Sequence, residues 1–216
     1  MEFLWIIGGC VASYLLGAVP CSYLIARARG VDIRKVGSGN VGATNVFRSV
    51  GKGWGVLAFF LDALKGAAPA LWMLPAIRAM GGPDLAPDWR LAFGAMAVVG
   101  HNWPIFLGFK GGKGVATSAG MLLAVAPAAV GIGLLVWVML FAASKYVSLA
   151  SIGAAVATPA AAWALYAREG LIRPIVLTAM GLLTIVRHRA NLARLRAGTE
   201  HRFGTPRAAA PTEATS

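Results

Sequence analysis

The sequence predicts an all-α polytopic integral membrane protein, a helical bundle of seven transmembrane segments of which two are short. Of its 216 residues, 58% are hydrophobic and only 13% are charged, and the mean hydropathy is +0.70. A soluble chain of this length has no way to bury so much apolar surface. Several apolar runs approach the roughly 20 residues that cross a bilayer as a helix, and the basic residues fall mainly on one side of them.

The apolar runs define the helices in chain order. Pro20 is expected to kink the end of the first helix, and Pro127 interrupts the longest run near its middle. Proline has this effect because it lacks the N–H that a helix interior requires. The runs lie at residues 3–26, 53–75, 91–109, 115–143, 146–167 and 171–186.

Three polar stretches accompany these runs, at residues 37–48, 100–118 and 187–204. If they act together, they must lie on one side of the membrane. An even number of crossings must then separate each stretch from the next. This holds only if the run at 115–143 is two short helices split at Pro127, which gives seven segments and an N-terminus on the opposite side.

The basic residues support this topology, because an excess of Lys and Arg is typical of cytoplasmic segments. Fifteen of them lie on the proposed inner side and four on the outer side. We therefore expect a multi-pass protein of the bacterial cytoplasmic (inner) membrane, with its N-terminus outside and its polar stretches on the cytoplasmic face. The inner residues are Arg27, Arg29, Arg34, Lys35, Arg48, Lys52, Lys110, Lys113, Lys145, Arg187, Arg189, Arg194, Arg196, Arg202 and Arg207, and the outer ones are Arg78, Arg90, Arg168 and Arg173.

The net charge of +12 is explained by this asymmetry, so no nucleic-acid partner is predicted.

The second apolar run carries two charged residues, Asp62 and Lys65, which lie three apart on one helix face. Their structural interpretation is a buried ion pair, and their functional interpretation is a role in lining a site.

The middle stretch, GHNWPIFLGFKGGKGVATS at residues 100–118, is the centre of the predicted site. Its glycines let the backbone turn N–H groups toward an anion, and a helix N-terminus, which favours phosphate, is expected at Val115. The alternative is a basic loop that only follows the positive-inside rule. A nucleotide P-loop is excluded, because Leu107 stands where its first glycine is required and Gly114 where Ser or Thr is required.

The other two stretches carry similar chemistry. GSGNVGATNVFR at residues 37–48 combines small hydroxyl and amide side chains with Arg48, whose guanidinium suits phosphate oxygens. RHRANLARLRAGTEHRFG at residues 187–204, if helical, aligns Arg187, Asn191 and Arg194 on one face beside His188. Glu200 is expected to pair with a nearby arginine. The alternatives are a capped turn for the first stretch and a helix resting on anionic lipid for the last.

The segments GSGNVGATN, GHNWPIFLGFKGGKGVAT and RHRANLARLRAGTE resemble the three signature motifs of the bacterial PlsY family of acyl-phosphate:glycerol-3-phosphate acyltransferases. The resemblance extends from the first span to about Gly204. It implies transfer of a fatty acyl group from acyl phosphate to the 1-hydroxyl of glycerol 3-phosphate. The products are lysophosphatidic acid and inorganic phosphate, and the reaction is the first acylation step of phospholipid biosynthesis. It also implies seven helices, an outside N-terminus and a cytoplasmic site.

The resemblance further implies residue roles. Ser38, Lys113, His188 and Asn191 match catalytic positions, and the same four with Arg48 match the glycerol 3-phosphate site. No metal and no cofactor are implied, and a monomer is expected to be functional. The positions that match the acyl-phosphate cradle are Thr44, Asn45, Gly111, Gly112 and Gly114.

Two questions stay open from the sequence. The proton of the attacking hydroxyl passes either to a substrate phosphate oxygen or to His188 as general base. The second candidate function is a membrane transporter of an organic phosphate or anion, indicated by the break at Pro127 and the glycine-rich loops. We expect residues 1–204 to form a single membrane-embedded acyltransferase domain and residues 205–216 a flexible cytoplasmic tail.

Overall fold

The computed structural model describes residues 1–204, and over this range the chain is all-helical with no strand. The tail predicted at residues 205–216 lies outside the described residues. A 3₁₀ turn at Ile105–Leu107 lies between the fifth and sixth α-helices. The α-helices are α1 (Glu2–Ala18), α2 (Cys21–Ala28), α3 (Ala43–Ser49), α4 (Lys52–Ala79), α5 (Trp89–Asn102), α6 (Val115–Val125), α7 (Pro127–Ser144), α8 (Val147–Tyr166), α9 (Ile172–Arg187) and α10 (Arg189–Arg196).

Both prolines singled out in the sequence mark helix boundaries. Pro20 separates α1 from α2, and Pro127 is the first residue of α7, directly after the short helix α6. Proline fits a first helical position because its missing N–H would have had no partner there. The predicted split at Pro127 is therefore confirmed.

Four segments are long and apolar enough to cross a membrane: Glu2–Ala28, which comprises α1 and α2, and the helices Lys52–Ala79, Pro127–Ser144 and Val147–Tyr166. The chain is thus a multi-pass membrane protein, as predicted. The remaining apolar helices, α5, α6 and α9, are shorter, so the count of seven spans stays a prediction.

The helix formed by the third apolar run, α5, is shorter than the sequence predicted. It was expected to reach Phe109, but α5 ends at Asn102, so this boundary is wrong. Pro104 explains the end, because a residue before proline is pushed out of the helical region, and Trp103 takes φ −133° and ψ 66°. At 1.5 Å per residue, α5 is about 21 Å long, less than the roughly 30 Å of a bilayer core.

Close backbone contacts fix the two helices that flank the 3₁₀ turn. A Cβ at Gly17 of α1 would overlap the Ala97 carbonyl of α5, and one at Gly66 of α4 would overlap the Thr117 carbonyl of α6. Small residues at such contacts are typical of membrane helices, where association depends on close packing. Helices α5 and α6 are thus held firmly by α1 and α4, and the turn between them has fixed ends.

Candidate active site

The glycine-rich turn at residues 103–114 forms the centre of the site. Gly112 N–H donates to the His101 carbonyl at 3.2 Å, and the backbone of Gly111 and Gly112 leaves no room for a Cβ, which would overlap the His101 carbonyl and ring respectively. Gly114, at φ +77°, precedes α6, which begins at Val115 as predicted. The first backbone bond of α6 is Ser118 N–H to the Gly114 carbonyl, so the earlier N–H groups lack helix acceptors and are available to an anion.

Arg187 holds the carbonyl side of this turn. Its guanidinium donates to the Gly112 carbonyl at 2.6 Å and to the carbonyls of Asn102 and Gly111 at 3.2 and 3.4 Å, and it lies over the Trp103 ring. The sequence predicted Arg187 on one helical face with Asn191 and Arg194. That prediction is wrong, because the chain breaks at His188, between α9 and α10.

Lys113 joins the turn to α10. Its Nζ donates to Asn191 Oδ1 at 2.5 Å, and Asn191 Nδ2 donates to Glu200 at 2.7 Å. Glu200 also accepts from Arg194 at 2.7 Å, the predicted pairing, and from Ser148 of α8 at 2.8 Å. Burial favours a raised pKa for Glu200, but these three hydrogen bonds outweigh it and lower the pKa, so the carboxylate is charged.

Two cations of the site, Lys113 and Arg48, stay incompletely paired. Burial lowers the pKa of Lys113 to about 8; Glu200 opposes this shift, and the charges of Arg194, Arg48 and Arg187 reinforce it. Burial also lowers the pKa of Arg48, whose Nε has no hydrogen-bond partner among the described residues. An anion placed here would pair with both groups and regain the energy that burial costs them.

His188 is buried and neutral. Its Nδ1 lies 2.8 Å from the Thr184 carbonyl, and because a carbonyl only accepts, Nδ1 carries the hydrogen and Nε2 carries the lone pair. Burial, followed by the nearby charge of Lys113, lowers the pKa of His188 to about 4. The ring can therefore accept a hydrogen bond at neutral pH but is a weak base.

Asn45 organises the segment that carries Ser38. Its Nδ2 lies 3.1 Å from each of the carbonyls of Ile33, Val36 and Asn40, and its Oδ1 accepts from Ser38 N–H at 3.2 Å. The Asn45 side chain is only 2% exposed. Its amide group is therefore used to shape the loop before α3.

The loop before α3 also reaches the glycine-rich turn. The Val41 carbonyl lies against Gly112, Thr44 is half-buried in the first turn of α3, and Ser38 is exposed. The structure thus brings the loop into contact with the turn, and Lys113 into contact with Asn191. It places Arg48 and His188 within electrostatic range of Lys113.

Three residues that contribute to the candidate site were not predicted from the sequence. Ser148 holds Glu200, and Phe203 packs between Phe47 of α3 and Phe141 of α7. Nothing in the local sequence indicated either contact, because both depend on how distant helices pack. Asn102 is fully buried beside Gly114, and both of its side-chain polar atoms lack partners within residues 1–204. A polar residue ending an apolar run was the available signal for Asn102.

Together the fold and the site define a class: a multi-pass helical membrane protein with a basic, glycine-lined candidate site where helices end. The family model for glycerol-3-phosphate acyltransferase matches residues 7–198. The chain belongs to this family, in its bacterial PlsY form, which confirms the resemblance noted from the three motifs.

Individual relatives support the same family assignment. The glycerol-3-phosphate acyltransferase of Aquifex aeolicus is 48% identical over 195 residues, covering 89% of this chain and 96% of the relative. That of Geobacter sulfurreducens is 44% identical, covering 88% and 94%. The crystal structure of PlsY, an integral membrane glycerol 3-phosphate acyltransferase, in its glycerol 3-phosphate form superposes with a TM-score of 0.82 at 44% identity, covering 93% of this chain and 96% of that one. Its lysophosphatidic acid form gives 0.80 at 42%, with the same coverage.

The lowered pKa of Lys113 predicts a pH limit on anion binding. Below about pH 8 Lys113 is charged, and above it the charge is lost, so affinity for inorganic phosphate should fall by up to about tenfold per pH unit. Titration calorimetry from pH 7 to 9.5 measures this. In Lys113→Arg this fall in affinity with pH, the alkaline limb of the binding profile, should disappear, because arginine keeps its charge. Lys110→Ala, which removes an exposed lysine of the same turn, should retain the limb. A limb that persists in Lys113→Arg would contradict the assignment.

Proposed function

We propose that this protein transfers a fatty acyl group from acyl phosphate to the 1-hydroxyl of glycerol 3-phosphate, giving lysophosphatidic acid and inorganic phosphate. The observation that carries the proposal is the contact of Lys113 with Asn191, which joins the glycine-rich turn to the third motif beside the incompletely paired Arg48. Relatives named glycerol-3-phosphate acyltransferase and PlsY structures in glycerol 3-phosphate and lysophosphatidic acid forms support the acceptor and the product.

In this proposal the two anionic substrates are held by different groups. Arg48 and Lys113 neutralise glycerol 3-phosphate, and Ser38, His188 and Asn191 orient it. The acyl-phosphate group binds the Thr44 hydroxyl and the backbone N–H groups from Gly111 to Gly114, except that of Gly112, which donates to the His101 carbonyl. Asn45 contributes by shaping the loop, since its own amide group is already bonded within that loop.

The reaction follows from this placement. The glycerol hydroxyl oxygen attacks the acyl carbonyl carbon, a new C–O ester bond forms, and the C–O bond to phosphate breaks. Acyl phosphate is a mixed anhydride with a good leaving group, so the site contributes mainly alignment and charge stabilisation. No metal or cofactor is included in this proposal.

An assay of the purified protein tests the proposal. Acyl phosphate, acyl-CoA and acyl carrier protein are offered as donors with labelled glycerol 3-phosphate. We expect lysophosphatidic acid from acyl phosphate alone, and a loss of at least about a hundredfold in Lys113→Ala, whose cation stabilises the reacting anions. Lys110→Ala is the matched control and should be active. Transfer from acyl-CoA only, or full activity in a folded Lys113→Ala protein, would contradict the proposal.

We further propose that a substrate phosphate oxygen takes the hydroxyl proton. The second ionisation of a phosphate lies at about pH 6, whereas the pKa of His188 lies at about 4. We therefore expect the rate to rise through about pH 6 in both wild type and His188→Gln, with the variant slower. A phosphonate analogue of the substrate with a less basic headgroup should move this rise in rate to lower pH. A limb near pH 4 that is absent in His188→Gln would instead identify the histidine as the base.

The transporter alternative is less well supported. Transport requires access from both membrane faces, whereas Arg48, Lys113, His188 and Asn191 gather at one cluster of helix ends. Flux of glycerol 3-phosphate into liposomes without an acyl donor would favour transport, and we expect none.

We propose that the protein acts as a monomer in the bacterial inner membrane, with residues 1–204 as one domain, the N-terminus outside and the site on the cytoplasmic face. In a background without Cys10 and Cys21, cysteines at Asp84 and Glu169 should react with an impermeant maleimide added to intact cells. A cysteine at Lys145 should react only after permeabilisation. Labelling of position 145 in intact cells would refute the seven-segment topology.

A further inference from the structure

A buried polar network lies beneath the glycine-rich turn, and the chemistry proposed above makes no use of it. Asp62 and Lys65 of α4 form the ion pair that their spacing suggested, with Nζ 2.9 Å from Oδ1 and side chains no more than 5% exposed. Asp62 lies about 15 Å along α4 from Lys52, well inside a membrane-spanning helix. Charges at this depth are costly and are retained mainly where they serve a function.

The network ties α4 to the break at Pro20. Lys65 Nζ donates to the Val19 carbonyl at 2.7 Å, and the Ser22 hydroxyl donates to Asp62 Oδ2 at 3.0 Å. The Ser22 bond anchors the Asp62 carboxylate to α2, and the Lys65 bond anchors its ion-pair partner to the Pro20 break. The second carboxylate oxygen, Oδ1, faces His101 of α5.

His101 of α5 faces this carboxylate. Its Nδ1 lies 3.6 Å from Asp62 Oδ1. Both atoms are buried; Nδ1 has no hydrogen-bond partner among residues 1–204, and Oδ1 has only its ion-pair contact with Lys65. A cavity of about 10 Å³ lies here, and its lining includes Ser22, Asp62, Lys65, His101, Gly111 and Gly112. It has room for about one water molecule, which would bridge the two atoms.

The other side of His101 supports the turn itself. Its carbonyl accepts the Gly112 N–H at 3.2 Å, and its ring Nε2 fills the space where a Cβ at Gly112 would stand. The imidazole is therefore clamped between the Asp62 carboxylate and the backbone of the turn, so a shift of the carboxylate would be passed to Gly112.

We propose that Asp62 and His101 are positioning residues for the acyl-phosphate donor: they hold Gly111 and Gly112 where the N–H groups of the turn bind its phosphate. The inference rests on the proposed function for the identity of that donor. Neither residue contacts the reacting atoms. Their loss is expected to weaken the binding of the phosphate that the turn holds, and to leave glycerol 3-phosphate bound by Arg48 and Lys113.

The test compares His101→Ala and His101→Gln with wild type, in the full-length purified protein. We expect His101→Ala to raise KM for acyl phosphate by at least about tenfold, with KM for glycerol 3-phosphate and kcat changed much less. His101→Gln, whose amide can still reach Asp62, should recover part of the loss. Thr158→Val is the matched control, because it removes a buried polar group in α8 away from the turn, and both KM values should be unchanged.

Ser22→Ala provides a milder variant in case His101→Ala does not fold. It removes only the hydroxyl bond to Asp62 and should raise KM for acyl phosphate in the same direction, by less. Equal rises in both KM values, or unchanged KM values in folded Ser22→Ala and His101→Gln proteins, would overturn the inference.

A second readout separates this inference from the proposed function. If wild type uses a different acyl donor, the donor assignment fails, and the affinity for inorganic phosphate, measured by calorimetry with glycerol 3-phosphate at saturation to occupy the Arg48 and Lys113 site, decides the positioning role. Weaker phosphate binding in His101→Gln and Ser22→Ala than in Thr158→Val supports the role. Equal binding in all three refutes it.

Discussion

Each break in a membrane helix leaves backbone carbonyls without helical partners, and at three breaks in this protein a cation donates to them. Lys65 donates to the Val19 carbonyl at the Pro20 break. Arg90 donates to the Ala124 carbonyl just before the Pro127 break, and Arg187 serves the turn between α5 and α6. Unpaired carbonyls in an apolar medium cost several kcal/mol each, so the breaks that build the site depend on these cations.

This requirement divides the basic residues into two groups. Arg187 and Arg90 donate hydrogen bonds to backbone carbonyls, whereas Arg48 and Lys113 keep donor capacity for an anion. Arg187 also orients the peptide planes of the glycine-rich turn. Because a peptide plane directs its N–H opposite to its C=O, the bond from Arg187 to the Gly112 carbonyl turns the Lys113 N–H away from Arg187. One buried guanidinium thereby sets which side of the turn carries carbonyls and which carries donors.

Local chemistry explains what the sequence could predict. The break at Pro127, the start of α6 at Val115 and the Asp62–Lys65 ion pair all follow from residues close together in the chain, through a missing N–H, a glycine cap or i, i+3 spacing. The Glu200–Arg194 pair has the same origin. These features are confirmed, and each arises between residues that are close together in the chain.

Features set by tertiary contacts were not predictable in the same way. Arg187 looked equivalent to Asn191 and Arg194 in a helical pattern, but its partners are carbonyls at residues 102, 111 and 112. Phe203 shows no local signal, since its partners are Phe47 and Phe141. Motif matching detects that such positions matter, but only the packed fold separates a residue that shapes the backbone from one left to bind substrate.

The neutral state of His188 gives that residue a specific place in the site. With Nδ1–H directed to the Thr184 carbonyl, its Nε2 offers only a lone pair. Phosphate oxygens are also acceptors at neutral pH, so Nε2 is a poor partner for either phosphate and a good one for a hydroxyl. In the proposed function, the cations next to it attract the phosphate of glycerol 3-phosphate, while the imidazole attracts the hydroxyl end of the same molecule. We infer that this opposition orients the acceptor, and a histidine kept neutral by burial serves it better than a strong base would.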